Sequence, residues 1–153
     1  MTVQVREKTV RVRASVLCID DNRILALKHR DPDSGREFWG VPGGKVEADE
    51  TPLTAALRET LEESGYIVEL VFDPQLASEY DFVWHSHTYH CKTHWFVVRP
   101  VAGAAHKPRA GDVEFITELR WLPLSEWRSL FPDHSDIQQA IGQILHRYKP
   151  TEN

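Results

Sequence analysis

The sequence predicts an α/β protein in which a mixed sheet carries helices. Three observations predict it: several segments with a two-residue apolar period, two capped segments with a helical period, and a length of 153 residues, enough for one sizeable core. A single domain over residues 1–153 is expected. Thr9–Asp20 alternates polar and apolar residues through Val10, Val12, Ala14, Val16 and Cys18, which predicts a half-buried strand with those five side chains inward. Asp21-Asn22 is a hairpin turn, a short apolar strand follows over 24–27, and residues 31–35 form a loop by their Asp, Pro, Ser and Gly. Extended structure returns at 38–41. Strands are predicted at 67–72, 78–84, 89–99 and 116–122, the last three rich in aromatic and β-branched residues, and the Ala/Gly-rich stretch 101–105 is a loop.

The first helix is predicted at Pro52–Ser64, with Thr51 as N-cap, proline at the first helical position and Gly65 as the stop. The second is predicted at 137–148, where Ile137, Ala140, Ile141, Ile144, Leu145 and Tyr148 make one buried stripe and Ser135 is the expected cap. A short helix is expected at 125–130.

Composition narrows the function. A net charge of -5 argues against non-specific nucleic-acid binding, which needs a basic surface to displace counterions. Nucleotides remain open, and an acidic protein that takes a phosphate ester draws positive charge from a bound metal ion. No apolar run approaches the roughly 18 residues of a membrane span, and residues 1–8 lack a signal-peptide core, so a soluble cytoplasmic protein without a membrane partner is expected. Cys18 and Cys91 stand in separate strands without C-x-x-C spacing, which predicts two reduced thiols.

The chemistry concentrates between Gly43 and Tyr66. On the first helix Glu59, Glu62 and Glu63 fall within about a 100° arc, while Leu53, Leu57 and Leu61 occupy the opposite side, so one face is expected to be core and the other acidic. Each like-charged pair costs an isolated helix roughly 0.2–0.5 kcal/mol. A hard divalent cation compensates, since Mg²⁺ prefers carboxylate oxygens, and Mn²⁺ is a possible substitute. Arg58 can hold one of the glutamates, and the consecutive glycines let a carbonyl of Gly43 or Gly44 complete the coordination sphere.

These residues match the pattern G-x5-E-x7-R-E-U-x-E-E-x-G-U, with U apolar, at all seven fixed identities: Gly44, Glu50, Arg58, Glu59, Glu62, Glu63 and Gly65. With ~7% usage per position, chance over about 130 windows yields on the order of one match in a million. The segment thus resembles the Nudix hydrolases, strictly over 23 residues and loosely over the whole chain. Thr60 stands where the family is usually aliphatic, and Tyr66 fills the last apolar position. The resemblance implies an α/β/α sandwich with the glutamate helix against a mixed sheet. It implies Mg²⁺ bound by Glu59, Glu62 and Glu63, with Glu59 as general base, Arg58 orienting it and Glu50 in support. In many relatives the base comes from a later glutamate. Here Glu114 is preferred for its neighbours Gly111 and Asp112, with Glu118 as the other candidate.

The resemblance also suggests Lys28 and Arg30, at the end of the second strand, as phosphate contacts. From the residues alone, His90, Lys92 and His94 share one face of a strand and offer a basic stripe to phosphates, while His85 and His87 are expected in the preceding turn. A zinc site lacks convergent ligands. Phe38, Trp39, Tyr80, Phe82 and Trp84 are assigned to core packing, with base stacking as the alternative for some. The whole reads as a Mg²⁺-dependent pyrophosphohydrolase of nucleoside diphosphate derivatives, nucleoside triphosphates or nucleotide sugars. The alternatives are removal of pyrophosphate from RNA 5′ ends and a catalytically silent nucleotide sensor. A homodimer is left open.

Overall fold

The computed structural model describes residues 8–104 and 115–150. Among them seven strands form a mixed sheet: β1 (Thr9–Asp20), β2 (Arg23–Arg30), β3 (Glu37–Gly40), β4 (Gly43–Lys45), β5 (Val68–Trp84), β6 (His87–Pro100) and β7 (Ile116–Pro123). The strand β1 is the axis. It runs parallel to β6 from Thr9↔Tyr89 to Cys18↔Val98, antiparallel to β4 from Arg13↔Lys45 to Ser15↔Gly43, and turns into β2 at its far end. Both β3 and β7 flank β2, and β5 pairs with β6 at the other edge.

Helices cover both faces because the second half of β1 is apolar on both sides. Ala14, Val16 and Cys18 pack with Leu25, Phe96 and Val98 under helix α1 (Pro52–Ser64), which contributes Ala55 and Ala56. Leu17 and Ile19 pack the other way, with Trp95, Val97 and helix α3 (Ser135–Arg147), which contributes Ile137, Ala140, Ile141 and Ile144. A 3-10 turn at Leu124–Glu126 leads into the short α2 (Trp127–Leu130), where one helix was expected. The result is the three-layer arrangement, a mixed sheet between helices. No described helix is long and apolar enough to cross a membrane.

Two hairpins turn through left-handed residues: Asp21 and Asn22 (φ 51° and 57°) between β1 and β2, and His85 and Ser86 (φ 52° and 58°) between β5 and β6. Both have the φ signs of the tight turns that match strand twist. His87, expected in the turn, begins β6 opposite Trp84.

Several expectations are corrected. The strands expected at 67–72 and 78–84 are one strand, because the ladder to β6 shifts register around Phe72 and resumes at Leu76. A bulge absorbs Pro74 there, with Asp73 Oδ1 accepting from the Gln75 N–H at 2.8 Å. Val10 and Val12 are 69% and 41% exposed, since the helix layer covers only the later part of β1. Ser135 is the first residue of α3 and does not cap it; His134 stands at the cap position without a side-chain bond. At the other end Tyr148 leaves the helix and stacks on Phe72 at 5.2 Å.

On the glutamate helix Leu53 and Leu57 pack against the core as expected, but Leu61 does not, and the buried centre of the face is shifted. Its buried residues are Ala55, Ala56, Thr60 and Ser64, whereas Leu61 is 45% exposed. Small side chains let the helix lie close to the sheet, and the hydroxyls of Thr60 and Ser64 bond back to Ala56 O (2.7 Å) and Thr60 O (2.5 Å), so neither hydroxyl is left unpaired. Thr60 therefore suits its place better than a larger aliphatic residue. Ala56→Leu is expected to cost about 1–3 kcal/mol through overpacking, and Leu61→Ala to stay within about 0.5 kcal/mol, in urea unfolding; the reverse order would restore the leucine face as the buried one.

Candidate active site

The site begins where α1 meets β4. A Cβ on Gly43 would lie 2.3 Å from Ser15 Oγ and 2.7 Å from Ala14 O, and one on Gly44 would lie 2.4 Å from Glu59 Cδ. Gly43 demands glycine, because a side chain there would meet the β1 backbone, while a side chain at Gly44 would have to displace the Glu59 carboxylate. The close approach lets the Gly43 N–H donate to Glu63 Oε1 at 2.8 Å. Gly43, expected to offer its carbonyl to a metal, thus meets the acidic helix through its N–H.

Arg58 binds the acids together. Its Nε and Nη2 grip Glu50 side-on at 2.7 and 2.8 Å, while Nη1 donates to Glu59 Oε1 at 2.9 Å and to Glu62 Oε2 at 3.2 Å. Nη2 also reaches Lys45 O at 3.1 Å, tying the helix to β4. Such forked charge-assisted bonds offset the repulsion among the carboxylates. The Glu50 carboxyl is held below its usual range by the Arg58 hydrogen bonds, and the Arg58 guanidinium is raised by Glu50 and Glu59. Glu50 also accepts from the Glu47 N–H at 3.0 Å, which closes the loop before the helix.

Burial acts the other way on the deeper acids. It pushes Glu63 up to about 8 against the Gly43 N–H, and raises Glu59 against the pull of Arg58. Glu62 is the outermost, with 53% of its side chain exposed. Among the described residues no three His, Cys, Asp or Glu side chains form a ready metal cage. The donor chemistry nonetheless fits a hard divalent cation: Glu59 and Glu63 are half-buried carboxylates whose ionised forms burial disfavours, and the missing Cβ of Gly44 leaves room for the Glu59 carboxylate against β4.

A cleft of about 240 Å³ opens beside this cluster, with Gly44 and Glu63 at one end. Its far wall is aromatic: Phe38, Phe82, Trp84 and Phe115, with His134 edge-on to Phe38 at 4.9 Å. Phe82 and Trp84 stack at 6.4 Å, and Trp84 meets Phe115 edge-on at 5.7 Å. Of the five aromatics assigned to core packing, Phe38, Tyr80, Phe82 and Trp84 line the cleft, whereas Trp39 packs against the core.

Several expected contacts lie elsewhere. Lys28 pairs with Glu37 at 3.1 Å and Glu118 at 3.8 Å, and Arg30 is exposed; neither lines the cleft. Glu118 sits in β7, also paired with Arg120. His90 and Lys92 point away from Tyr89, Cys91 and Trp95, the cleft-lining residues of β6, and His90 is engaged by Asp81 at 3.0 Å and Glu79 at 3.3 Å, which raise it. The stripe therefore lies on the sheet face opposite the cleft, with His90 paired to acids there and Lys92 and His94 beside a separate hollow near the start of α1. Glu114 lies outside the described residues.

The NUDIX domain family matches residues 9–142, which includes β1, the glycine strand, the glutamate helix and most of α3. The chain belongs to the Nudix family. It is 35% identical over 89 residues to a dihydroneopterin triphosphate diphosphatase of Haemophilus influenzae, covering 51% of this chain and 54% of the relative. It is 37% identical over 59 residues to an 8-oxo-dGTP diphosphatase of Proteus vulgaris, covering 39% and 53%. The chain spans about half the length of these curated relatives. Among solved structures, a MutT NUDIX hydrolase of Burkholderia pseudomallei superposes with a TM-score of 0.63 at 26% identity, covering 90% of this chain and 99% of that one.

Sequence reasoning missed the cleft-facing side of this Nudix sheet. Arg11, Arg13 and Ser15 of β1, His29 of β2, and Tyr89 and Cys91 of β6 all line the cleft. The available signal was Leu17 and Ile19: apolar residues on the odd face of β1 mean that this face, too, is covered farther along.

Gly43→Ala is expected to cost about 1–3 kcal/mol in urea unfolding, because its methyl meets backbone, and Gly44→Ala to cost less, because the Glu59 side chain can swing aside. Equal losses would mean that the contact with Ala14 is relieved. His29 gives a pH signature: burial first, then Arg13 and His134, push its imidazole down from 6.5 to about 4. The unfolded chain takes up the proton near 6.5 and the folded one only near 4, so stability is intact above 6.5 and falls as the pH drops between those values. The loss is up to about 3 kcal/mol. Acid titration of the unfolding free energy should show this component in the wild type and lack it in His29→Phe; identical profiles would contradict it.

Proposed function

We propose that this chain is a divalent-metal-dependent pyrophosphohydrolase that cleaves a phosphoanhydride bond in a nucleoside diphosphate derivative, with nucleoside triphosphates as the favoured substrates. The observation that carries the reading is one cleft that meets the glutamate helix at Glu63, beside Gly44 and Lys45, and also carries an aromatic wall, with the Arg58-bound acids Glu59 and Glu62 on the same helix as Glu63. Acids with a cation suit a phosphate chain, and aromatic faces suit a base. Both curated relatives are named for triphosphate substrates, which supports a triphosphate over a nucleotide sugar.

In this reading Glu59, Glu62 and Glu63 hold Mg²⁺, for which Mn²⁺ can substitute. Bound there, the metal supplies charge neutralisation along the phosphate chain. Glu59 takes the proton of the attacking water. Arg58 supports that role, since its Nη1 at 2.9 Å fixes the Glu59 carboxylate and favours the ionised form against burial. Glu50 acts through Arg58, as a positioning residue. Lys45 and Arg11, which line the cleft, supply the cationic surface that Lys28 and Arg30 were expected to provide.

Phosphate release from a panel of nucleoside triphosphates, nucleotide sugars and triphosphorylated RNA tests the reading. Turnover is expected with Mg²⁺ and lost with a chelator, and Glu59→Gln should lower kcat by about 10²- to 10⁴-fold with an unchanged unfolding midpoint. Metal-independent turnover, or full activity in Glu59→Gln, would remove the assignment; a preference for RNA ends would move the substrate class.

A further inference from the structure

The polar groups on the cleft floor are nearly all spoken for. The Tyr80 hydroxyl is shared with Thr93 Oγ1 at 2.8 Å, Trp95 Nε1 donates to Ser78 Oγ at 2.7 Å, and Glu63 accepts from Gly43. Two atoms stand apart. Arg13 Nε and His29 Nδ1 are buried without a hydrogen-bond partner among the described residues, and both residues line this cleft. An unmade hydrogen bond at a buried nitrogen is costly, so two in one cavity mark what an occupant must provide.

Their surroundings define that occupant. Arg13 lies in β1 between Lys45 of β4 and Thr93 of β6, where the cleft passes from the acidic cluster to the aromatic wall. His29 stacks on Phe38 at 5.5 Å with the rings 13° from parallel. A Cβ on Gly40 would come within 3.3 Å of His29 Nδ1 and Cε1, so glycine there leaves the nitrogen open. His29 is neutral near pH 7, and a neutral imidazole nitrogen either donates or accepts, according to its tautomer. Arg13 Nε–H can only donate.

We infer that Arg13 and His29 are specificity-determining residues that read the edge of a nucleobase and select one carrying an exocyclic oxo group over one carrying an amino group. The inference rests on the nucleotide reading of this cleft. A carbonyl oxygen accepts a charge-assisted bond from Arg13 while the adjacent ring nitrogen pairs with His29; an exocyclic amino group in that place sets one N–H against another. Adenine can reach Arg13 only through a ring nitrogen, displaced by one atom along the base edge. A phosphate fits the pair less well, because the neutral, ring-stacked His29 supplies no charge to it.

Calorimetric binding of nucleoside monophosphates tests this without turnover. GMP, IMP and UMP are expected to bind at least about tenfold more tightly than AMP and CMP. Arg13→Met should erase that ratio, lowering the affinity for the oxo nucleotides at least about tenfold more than that for inorganic pyrophosphate, which feels Arg13 only through its charge near Glu59 and Glu63. Gly40→Ala, which crowds His29 Nδ1, should lower the ratio with Arg13 intact, so the inference stays testable if Arg13→Met does not fold. Absence of binding, equal affinities in the wild type, or an Arg13→Met loss shared by pyrophosphate and all five nucleotides would overturn it. Selective binding without hydrolysis would instead defeat the hydrolase reading and keep this one.

Discussion

The close approach of the glycine strand to the glutamate helix is the constraint on which the site depends. With a side chain at Gly43, β4 would stand off from β1, the Gly43 N–H would leave Glu63, and Lys45 O would leave Arg58; one at Gly44 would push the Glu59 carboxylate aside. The small residues Ala55, Ala56, Thr60 and Ser64 meet the same demand from the helix side. Sheet, strand and helix are thereby locked at a spacing that no larger residues allow, and the acids are carried on the part of the helix nearest that junction.

Electrostatics at the junction are divided between two devices. At the rim, Arg58 spreads one positive charge over Glu50, Glu59 and Glu62 through directed hydrogen bonds. Deeper in, burial raises Glu59 and Glu63 and leaves them wanting a cation. A folded arrangement that keeps carboxylates short of positive charge is expensive for stability and useful for binding a divalent ion with its phosphate cargo. Immediately beside it the odd-numbered face of β1 changes along its length: Leu17 and Ile19 are core, Arg13 and Ser15 are cleft floor, and one strand joins the packed interior to the site.

How much of this was legible in the sequence follows from the physics of each signal. Periodicity and caps located β1, α1 and the general layout, because strand alternation and the Thr51 and Gly65 signals are local. Spacing located the acidic cluster, since seven identities at fixed offsets are a one-dimensional record of a helix and loop. What depended on distant packing was not legible. The helix face was only partly legible: Leu53 and Leu57 pack on the core, but closeness to the sheet favours the small Ala55, Ala56, Thr60 and Ser64 at its centre and leaves Leu61 exposed. The bulge that carries Pro74 through β5 depends on pairing with β6. Lys28, Arg30, His90 and Lys92 looked available as single residues, yet the first and third are engaged by acids from neighbouring strands, and none of the four lines the cleft. Arg13 and His29 drew no attention, because nothing local distinguishes a buried nitrogen lacking a partner.

Electron paramagnetic resonance of Mn²⁺ added to the protein tests the central claim most directly. Mn²⁺ should bind to the wild type and bind much more weakly to Glu59→Gln and Glu63→Gln, each still folded. Equal Mn²⁺ affinity in all three proteins would contradict the claim that the carboxylates gathered at the glycine strand are the cation site.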